Sequence, residues 1–491
     1  MLDGLKRLLQ SNRAFAAIMV LLFCATLSVA FYEVLPANVV FLAPDAPLQF
    51  PTFSEALHQL LTPAPAVLNL FRLFPFGFAY EGSFWGDMLI CCLAALFLLR
   101  SHGLPWGAAW VGGFAAAFTG YFATLFCAGH RGVVDAIAVT SIAFGLVHCA
   151  ITRGAWYWWV ALGLLLPLGL AAQADIWLIL MVGVFAYSLF LTVRHCRAEG
   201  LKPALRRLLP GLCFALLTFG LTGIPALRHT FGAAQETRQA QLTQATAATT
   251  SPATAQAAQW QFTTDWSLPP EDALEFIVPN ARGCTSYSFD PNPYIGRMGS
   301  AYQVLRQHSV HLGWLTFLLA IAAFLRKGDR ETLPMRCFWA GLAGVSLLLA
   351  FGKYTPLYQW IWQLPFINQI RAPVKWLHLT GFACAILAGY GSVGLIKRWG
   401  NVAALVLCLT LAITGIVVIR PFVFPIRLPT AHELRCLPPQ ARIYTAPTYH
   451  DFVHAQGFIP VQTPYQAQAA LILKPEGRGF NLTLITPEAR P

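Results

Sequence analysis

Arg371 and Lys375 are two cations four residues apart, placed directly before a long apolar segment. Both stand at the start of a predicted span, where the free amides of a helix start also favour an anion. A phosphate suits the pair, because arginine binds it through two parallel hydrogen bonds and lysine adds a compact charge. The alternative is that both cations contact ordinary lipid headgroups.

Aromatic residues dominate the segment that leads to these cations, residues 353–374, KYTPLYQWIWQLPFINQIRAPV. Trp and Tyr concentrate at the level of the lipid headgroups. Three prolines divide the segment into short pieces, so we expect it to lie along the membrane surface instead of crossing. Four aromatic side chains are predicted to contact and guide lipid: Tyr354, Tyr358, Trp360 and Trp362.

Asp45 is the one aspartate of the predicted first outer loop, in the sequence FLAPDAP. A carboxylate just outside the first apolar span can accept the proton of an attacking hydroxyl, or bind a metal ion that bridges phosphates. The alternative is a solvated aspartate before a turn.

A second polar cluster is predicted at the outer starts of two spans. In GHRGVVDA, Arg131 and Asp135 share a helix face, with His130 beside them, and Asp175 opens the span after AAQ. Ionisable side chains at a membrane boundary are costly and tend to be functional. The alternatives are an Arg–Asp pair that only positions its helix, and an aspartate that only complements a helix dipole.

Metal and disulfide signals are weaker. His450 and His454 have a four-residue spacing without an evident third ligand, so no metal site is predicted. Most of the 12 cysteines lie in apolar runs and are read as small buried hydrophobes. Cys284 and Cys436 lie in outer segments, where an oxidising compartment would let them form a disulfide.

The composition indicates a helical membrane protein. Of 491 residues, 57% are hydrophobic and 11% are charged, against roughly 25% charged in soluble domains. The net charge of +12 does not indicate nucleic-acid binding, because the cations cluster in short loops between apolar runs. That distribution follows the positive-inside rule.

We predict an all-α polytopic fold with about eleven transmembrane helices, the N-terminus in the cytoplasm and the C-terminus outside. The predicted spans are 14–32, 84–99, 106–127, 132–151, 155–172, 175–193, 209–227, 310–325, 337–352, 375–395 and 402–419. Arg371 and Lys375 then lie outside, against the usual charge bias, which favours a specific phosphate site.

The predicted organisation has four parts. Residues 1–227 form a transmembrane module of about seven spans that includes the outer loop 33–83, and residues 228–309 form a large outer loop. Residues 310–419 carry the remaining spans and the interfacial segment 353–374. Residues 420–491 alternate short apolar runs with Pro and Gly, which predicts a small β-containing outer region.

Four pieces in this order resemble the YfhO-type bacterial membrane proteins of the GT-C glycosyltransferase superfamily. They are FLAPD after the first span, the AGHRG turn, WSLPPEDALEFIVPNARG, and the segment FGKYTPLYQWIWQLPFINQIRAPVKWLHL. The resemblance runs from the first span to about residue 395, and residues 420–491 have no part in it.

The resemblance implies a polyprenyl-phosphate-linked sugar as donor, with transfer to an envelope glycan or protein on the outer face of the bacterial cytoplasmic membrane. Asp45 matches the essential acidic residue of the family's first outer loop, and Arg131 and Asp135 match a second polar cluster. Arg371 and Lys375 would hold the donor phosphate. The loop lacks an Asp-x-Asp or Asp-Glu pair, so a divalent cation is allowed but not predicted.

Two other classes of function remain open at the level of sequence. A transporter or lipid-carrier flippase would use the same polar residues as a pathway, although such proteins commonly contain internal repeats, and none is evident here. A non-catalytic envelope assembly protein would only bind glycan or lipid.

Overall fold

The computed structural model describes residues 11–35, 39–41, 77–127, 129–202, 204, 208–224, 252–264, 266–279, 281, 309–325, 331–364, 370–423, 425–427, 429, 437, 441–444, 459–461, 469–476 and 479–485. This part of the chain is mostly helical. The helices before the large outer loop are α1 (Asn12–Ala30), α2 (Gly77–Ser101), α3 (Trp106–Ala117), α4 (Gly120–Cys127), α5 (Arg131–Arg153), α6 (Trp156–Ala172), α7 (Ala174–Glu199) and α8 (Leu208–Ile224). Those that follow are α9 (Pro252–Thr264), α10 (Trp314–Leu325), α11 (Leu333–Ala350), α12 (Pro356–Trp362) and α13 (Leu377–Ile419).

Local sequence explains where several of these helices begin and end. The Ser11 side chain caps α1 by accepting a hydrogen bond from the Ala14 amide at 3.4 Å. Gly154 ends α5 in the left-handed conformation, φ 70°, which a residue without a Cβ adopts at little cost. Pro356 opens α12, where its missing amide hydrogen costs no helical hydrogen bond.

Six segments are long and apolar enough to cross a membrane: Asn12–Ala30, Phe84–Ser101, Arg131–Arg153, Ala174–Glu199, Leu333–Ala350 and Pro373–Phe422. Helices α6, α8 and α10 are apolar but shorter. The predicted span 106–127 is divided into α3 and α4 at Phe118 and Thr119. These findings establish a multi-pass membrane protein.

Helix α13 consists of two antiparallel halves, 377–399 and 401–419, joined at Gly400. Gly400 has φ 63° and ψ −155°, which is not helical. Both halves pack on α3 in opposite directions. A Cβ atom at Gly107 would lie 3.4 Å from Ile396 and 2.9 Å from Ala404. At the other end of the bundle, a Cβ at Gly120 would lie 2.9 Å from Val418.

Helices α5, α7 and the first half of α13 all begin at the same end of the bundle. Lys375 is bonded to Asp175 there. Farther along the same helices, the Tyr187 hydroxyl lies 2.8 Å from His148 Nδ1 and 2.7 Å from His102 Nε2. We call these two places the Lys375 end and the His148 end. Arg131 and His148 are seventeen residues apart on α5, or about 25 Å at 1.5 Å per residue, close to the thickness of a bilayer's hydrocarbon core.

Short strands form a six-stranded sheet whose order is β1-β2-β6-β5-β3-β4. They are β1 (Val39–Phe41), β2 (Pro425–Arg427), β3 (Arg442–Tyr444), β4 (Ile459–Val461), β5 (Ala469–Glu476) and β6 (Gly479–Ile485). Strands β5 and β6 form an antiparallel hairpin, and β1 pairs with β2. The segment after α1 is therefore joined by backbone hydrogen bonds to the region after α13.

Candidate functional site

The centre of the candidate site is an ion pair between Lys375 and Asp175 at the Lys375 end. Asp175 lies in the first turn of α7. Its Oδ1 accepts hydrogen bonds from the Gln173 side chain at 3.0 Å and the Ile176 amide at 2.8 Å, and its Oδ2 accepts from Lys375 Nζ. Both side chains are about one-fifth exposed, 20% for Lys375 and 23% for Asp175. Each charge is therefore balanced inside a partly buried site.

Arg371 lies near this pair in sequence but on a different backbone element. Ala372 has φ 69°, a left-handed conformation rare for a residue with a Cβ, and a 3₁₀ turn follows over Pro373–Trp376. The chain therefore turns between Arg371 and Lys375, so the two cations do not lie on one helix. Arg371 is exposed, and its guanidinium lies 4.4 Å from the centre of the Phe262 ring.

The start of α5 lies against the turn between α6 and α7. A Cβ atom at Gly132 would lie 2.7 Å from the Ala172 carbonyl oxygen and 3.4 Å from the Gln173 side chain. Because Gln173 also binds Asp175, this contact places His130 and Arg131 beside the Asp175 site. Asp135, one turn into α5, is buried with 6% of its surface exposed. The predicted second cluster is thus gathered at one end of the bundle, next to Lys375.

Residues of the predicted outer loop 228–309 support the predicted interfacial segment 353–374 through backbone hydrogen bonds. The Ala372 amide donates to the Thr263 carbonyl and the Val374 amide to the Trp266 carbonyl, both at 3.0 Å. The Ser267 hydroxyl accepts from the Lys353 amide, also at 3.0 Å. These bonds hold the segment on both sides of the Ala372 turn, so α9 and the residues after it determine the position of Arg371.

The four predicted lipid-guiding aromatics divide into two pairs. Tyr358 is fully buried and Trp362 is 8% exposed. Both pack on Trp260, and the Trp362 indole N–H donates to Thr263 Oγ1 at 3.0 Å. Burial raises the pKa of Tyr358 to about 12. The prediction that both contact lipid is wrong, because residues four apart on α12 share its inner face.

Trp360 and Tyr354 form the outward-facing pair. Trp360 is 70% exposed and Tyr354 is 48% exposed. Burial raises the pKa of Tyr354, and the neighbouring carboxylates of Glu271 and Asp272 raise it further. Membrane contact by Trp360 and Tyr354 stays a prediction.

Two buried carboxylates were missed at the level of sequence. Asp272 and Glu275 lie in a 3₁₀ helix over Pro270–Phe276 and have no exposed surface. With three residues per turn, both point to the same side, while Leu274 is 57% exposed. The three-residue spacing of the two acids was the signal available in the sequence.

His311 connects this 3₁₀ helix to α4. Its Nδ1 lies 2.9 Å from the Glu275 carbonyl oxygen and is therefore the protonated nitrogen. Its own carbonyl accepts from the Gly120 amide at 2.6 Å, and the Ser309 amide donates to Thr124 Oγ1 at 2.7 Å. Burial lowers the pKa of His311. Ser309 and His311 are thus bonded to α4, the helix that precedes His130.

Several predicted residues lie outside the described part of the chain. They are Asp45, the two cysteines Cys284 and Cys436, and the histidines His450 and His454. Within the residues that the structure describes, no group of three His, Cys, Asp or Glu side chains is arranged to hold a metal ion.

No protein-family model matches this chain, and a comparison with curated proteins finds no significant relative.

Proposed function

We propose that the protein is an integral membrane glycosyltransferase of the GT-C type. It transfers a sugar from a polyprenyl-phosphate-linked donor to an envelope glycan or protein on the outer face of the bacterial cytoplasmic membrane. The observation that carries the proposal is the exposed Arg371, which precedes the Ala372 turn four residues before Lys375, whose pair with Asp175 lies where three helices begin. Arginine and helix starts both bind phosphate.

The proposal includes eleven membrane crossings with the Lys375 end outside. Helix directions support this number, because successive crossing segments run alternately between the two ends of the bundle. These segments are α1, α2, α3 with α4, α5, α6, α7, α8, α10, α11 and the two halves of α13. The distribution of cations supports the orientation, since the His148 end carries Arg100, Arg153, Arg194, Arg197, Lys397 and Arg398 and positive loops face the cytoplasm.

The reaction is a displacement at the anomeric carbon of the donor sugar. The acceptor hydroxyl oxygen forms a bond to this carbon, and the bond from the carbon to the lipid phosphate oxygen breaks. Asp45 takes the hydroxyl proton, and Arg371 neutralises the charge that develops on the departing phosphate. Preorganised charge of this kind is usually the largest catalytic contribution.

Lys375 has a different role from Arg371 in this proposal. Its ammonium is bonded to Asp175, so its first task is to hold the starts of α7 and α13 together. The field of the pair is that of a dipole, weaker at a distance than that of a single cation. Trp360 and Tyr354, on the outward face of the interfacial segment, contact the polyprenyl chain.

The test is transfer of labelled sugar from polyprenyl-phosphate donors by the full chain reconstituted in liposomes. We expect Arg371→Ala to lower kcat/KM by about a hundredfold or more with little change in the unfolding temperature, and Asp45→Asn to abolish turnover. Arg398→Ala is the matched control, because Arg398 is also an exposed arginine stacked on a ring, 4.9 Å from the centre of Trp399, at the His148 end.

Two results would reject the proposal. Near wild-type transfer by Arg371→Ala would show that the phosphate binds elsewhere. Movement of the donor across the liposome bilayer without any sugar transfer would identify a flippase instead.

A further inference from the structure

A second polar site lies at the His148 end, at the opposite end of the bundle from Lys375 and Asp175. A cavity of about 390 Å³ opens between α5, α7, α11 and the first half of α13. Pockets for small ligands are typically about 300 to 1,000 Å³. The polar side chains that line it include His102, His148, Arg194, His195, Glu331 and Tyr390.

Four of the aromatic side chains here form one hydrogen-bonded chain, Tyr390–His102–Tyr187–His148. The Tyr390 hydroxyl lies 2.9 Å from His102 Nδ1, and the Tyr187 hydroxyl lies between His102 Nε2 at 2.7 Å and His148 Nδ1 at 2.8 Å. These residues come from α5, α7, α13 and the turn after α2. The chain therefore connects four separate parts of the bundle at the wall of the cavity.

The hydrogen-bond donors of this chain can be ordered in two ways. In one order, Tyr390 donates to His102, His102 donates to Tyr187, and Tyr187 donates to His148. The Tyr390 hydroxyl hydrogen then points to His102 and not into the cavity. In the reverse order His102 Nδ1 donates to Tyr390, and the Tyr390 hydroxyl donates to an acceptor other than His102. An acceptor in the cavity favours the reverse order, because a hydroxyl has one donor hydrogen.

The cation that an anionic ligand would meet in this cavity is Arg194, while Glu331 is the carboxylate of the lining. Arg194 is exposed at its rim, and the positive charge of Arg194 is one of the causes that lower the pKa of His102, after burial and His148. Other cations at this end include Arg100, Arg153, Arg197, Arg336, Lys397 and Arg398, while Glu199 and Glu331 are the carboxylates there among the described residues.

The shape and lining of the cavity favour an organic phosphate. A free phosphate ion would fill only a small part of the volume, and Ile151, Leu191 and Met335 supply an apolar wall for a carbon skeleton. The Arg194 guanidinium can bind two phosphate oxygens at once, and the Tyr390 hydroxyl can donate to a third.

We propose that this cavity binds a phosphate monoester, with Arg194 as its main charged contact and Tyr390 as a hydroxyl donor. The ester is either a soluble molecule or the headgroup of an anionic lipid in the leaflet at the His148 end. This site is separate from the sugar-transfer site, and its existence does not depend on the transfer reaction.

The experiment measures binding to the full chain in phosphatidylcholine nanodiscs. Calorimetric titration with inorganic phosphate, the minimal probe, tests for a soluble ligand. The increase in unfolding temperature when a minor fraction of phosphatidic acid is added tests for a lipid headgroup. We expect Arg194→Gln to weaken the response by about tenfold or more, as expected for loss of a charge-assisted contact. Arg197→Gln, an exposed arginine in the same last part of α7 that does not line the cavity, should change it less than about twofold.

The two arms distinguish the sources. Phosphate binding that Arg194→Gln removes supports a soluble ester, and stabilisation by phosphatidic acid alone, also lost in Arg194→Gln, supports a lipid headgroup. The proposal is overturned if neither probe has an effect, or if Arg194→Gln and Arg197→Gln respond equally, since general surface charge would then explain the binding.

Discussion

Lys375 and Asp175 are 200 residues apart in sequence and form an ion pair that joins the starts of α13 and α7. Each residue had been assigned to a different predicted cluster, one for phosphate binding and one for a second polar site. The pairing makes them one structural unit, in which the lysine charge is already compensated and Arg371 is the more exposed cation. The following predictions test this arrangement.

Removing either member of the pair should destabilise the protein. We expect Asp175→Asn and Lys375→Gln each to lower the unfolding temperature, because each leaves a partly buried charge without its partner. The double variant should lose less than the sum of the two, with a coupling energy of about 1 kcal/mol. Thermal unfolding of the four proteins in one detergent gives this energy. Strict additivity would show that the pair does not stabilise the fold.

Buried and exposed tryptophans of α12 should behave differently. Trp362→Ala removes a buried ring and leaves Thr263 without the indole donor, so we expect a loss of about 3–5 kcal/mol in the free energy of unfolding. Trp360→Ala should change stability by less than about 0.5 kcal/mol but weaken use of long-chain polyprenyl donors. Denaturation and transfer assays on both variants check this. Equal destabilisation would contradict the burial of Trp362.

Gly132→Ala should separate the start of α5 from the α6–α7 turn. A Cβ atom 2.7 Å from the Ala172 carbonyl oxygen cannot be accommodated without a shift of backbone, which we expect to cost about 1–3 kcal/mol and to lower transfer activity. Gly341→Ala is the control, since a Cβ there meets nothing within 4 Å and alanine favours a helix by up to about 1 kcal/mol. The unfolding temperatures of both variants test whether Gly132 is in this close contact. A Gly132→Ala protein as stable as Gly341→Ala would refute the close contact.

Stability should decrease as the pH falls below about 6.5. The pKa of His102 is held well below its ordinary value of 6.5 by burial, by the neighbouring His148 and by Arg194, and burial also lowers the pKa of His311. Below the ordinary histidine pKa, these histidines bind protons in the unfolded chain but stay neutral in the folded chain. Lowering the pH below about 6.5 therefore favours unfolding. Unfolding temperatures across this range should fall with pH.

The His102→Gln variant measures how much His102 contributes to the pH dependence of the unfolding temperature. The charged and titratable groups around His102 are His148 on α5, Arg194 on α7 and the hydroxyls of Tyr187 and Tyr390. We expect the variant to be less stable overall but less sensitive to pH, with His311 accounting for part of the remaining slope. An unchanged slope would show that His102 does not resist protonation.

Helix positions could be predicted from the sequence to within about seven residues at each end. The predicted spans 132–151 and 175–193 correspond to Arg131–Arg153 and Ala174–Glu199, because a long apolar run bounded by charges determines a membrane helix locally. The reversal at Gly400 also agrees with the predicted boundary between two spans. The predicted span 310–325 begins as a helix only at Trp314, since Gly313 with φ 95° precedes it.

The candidate site was predictable in composition but not in geometry. The residue types at the Lys375 end, including His130, Arg131, Asp175 and Lys375, were visible as ionisable groups next to apolar runs. The contacts between these side chains could not be predicted, because no local sequence pattern indicates which helix N-termini lie next to each other. Asp272 and Glu275 were missed for the same reason: burial of an acid depends on what packs over it.

Apolar length and flanking charge were enough to establish a multi-pass helical membrane protein, because the bilayer imposes those features on each segment separately. The pairing of Lys375 with Asp175, the burial of Tyr358 and Trp362, and the chain from Tyr390 to His148 required the folded bundle. Each of these contacts joins residues that are far apart in sequence. Such contacts are determined by how the segments pack together, and not by the local conformational preferences of any one segment.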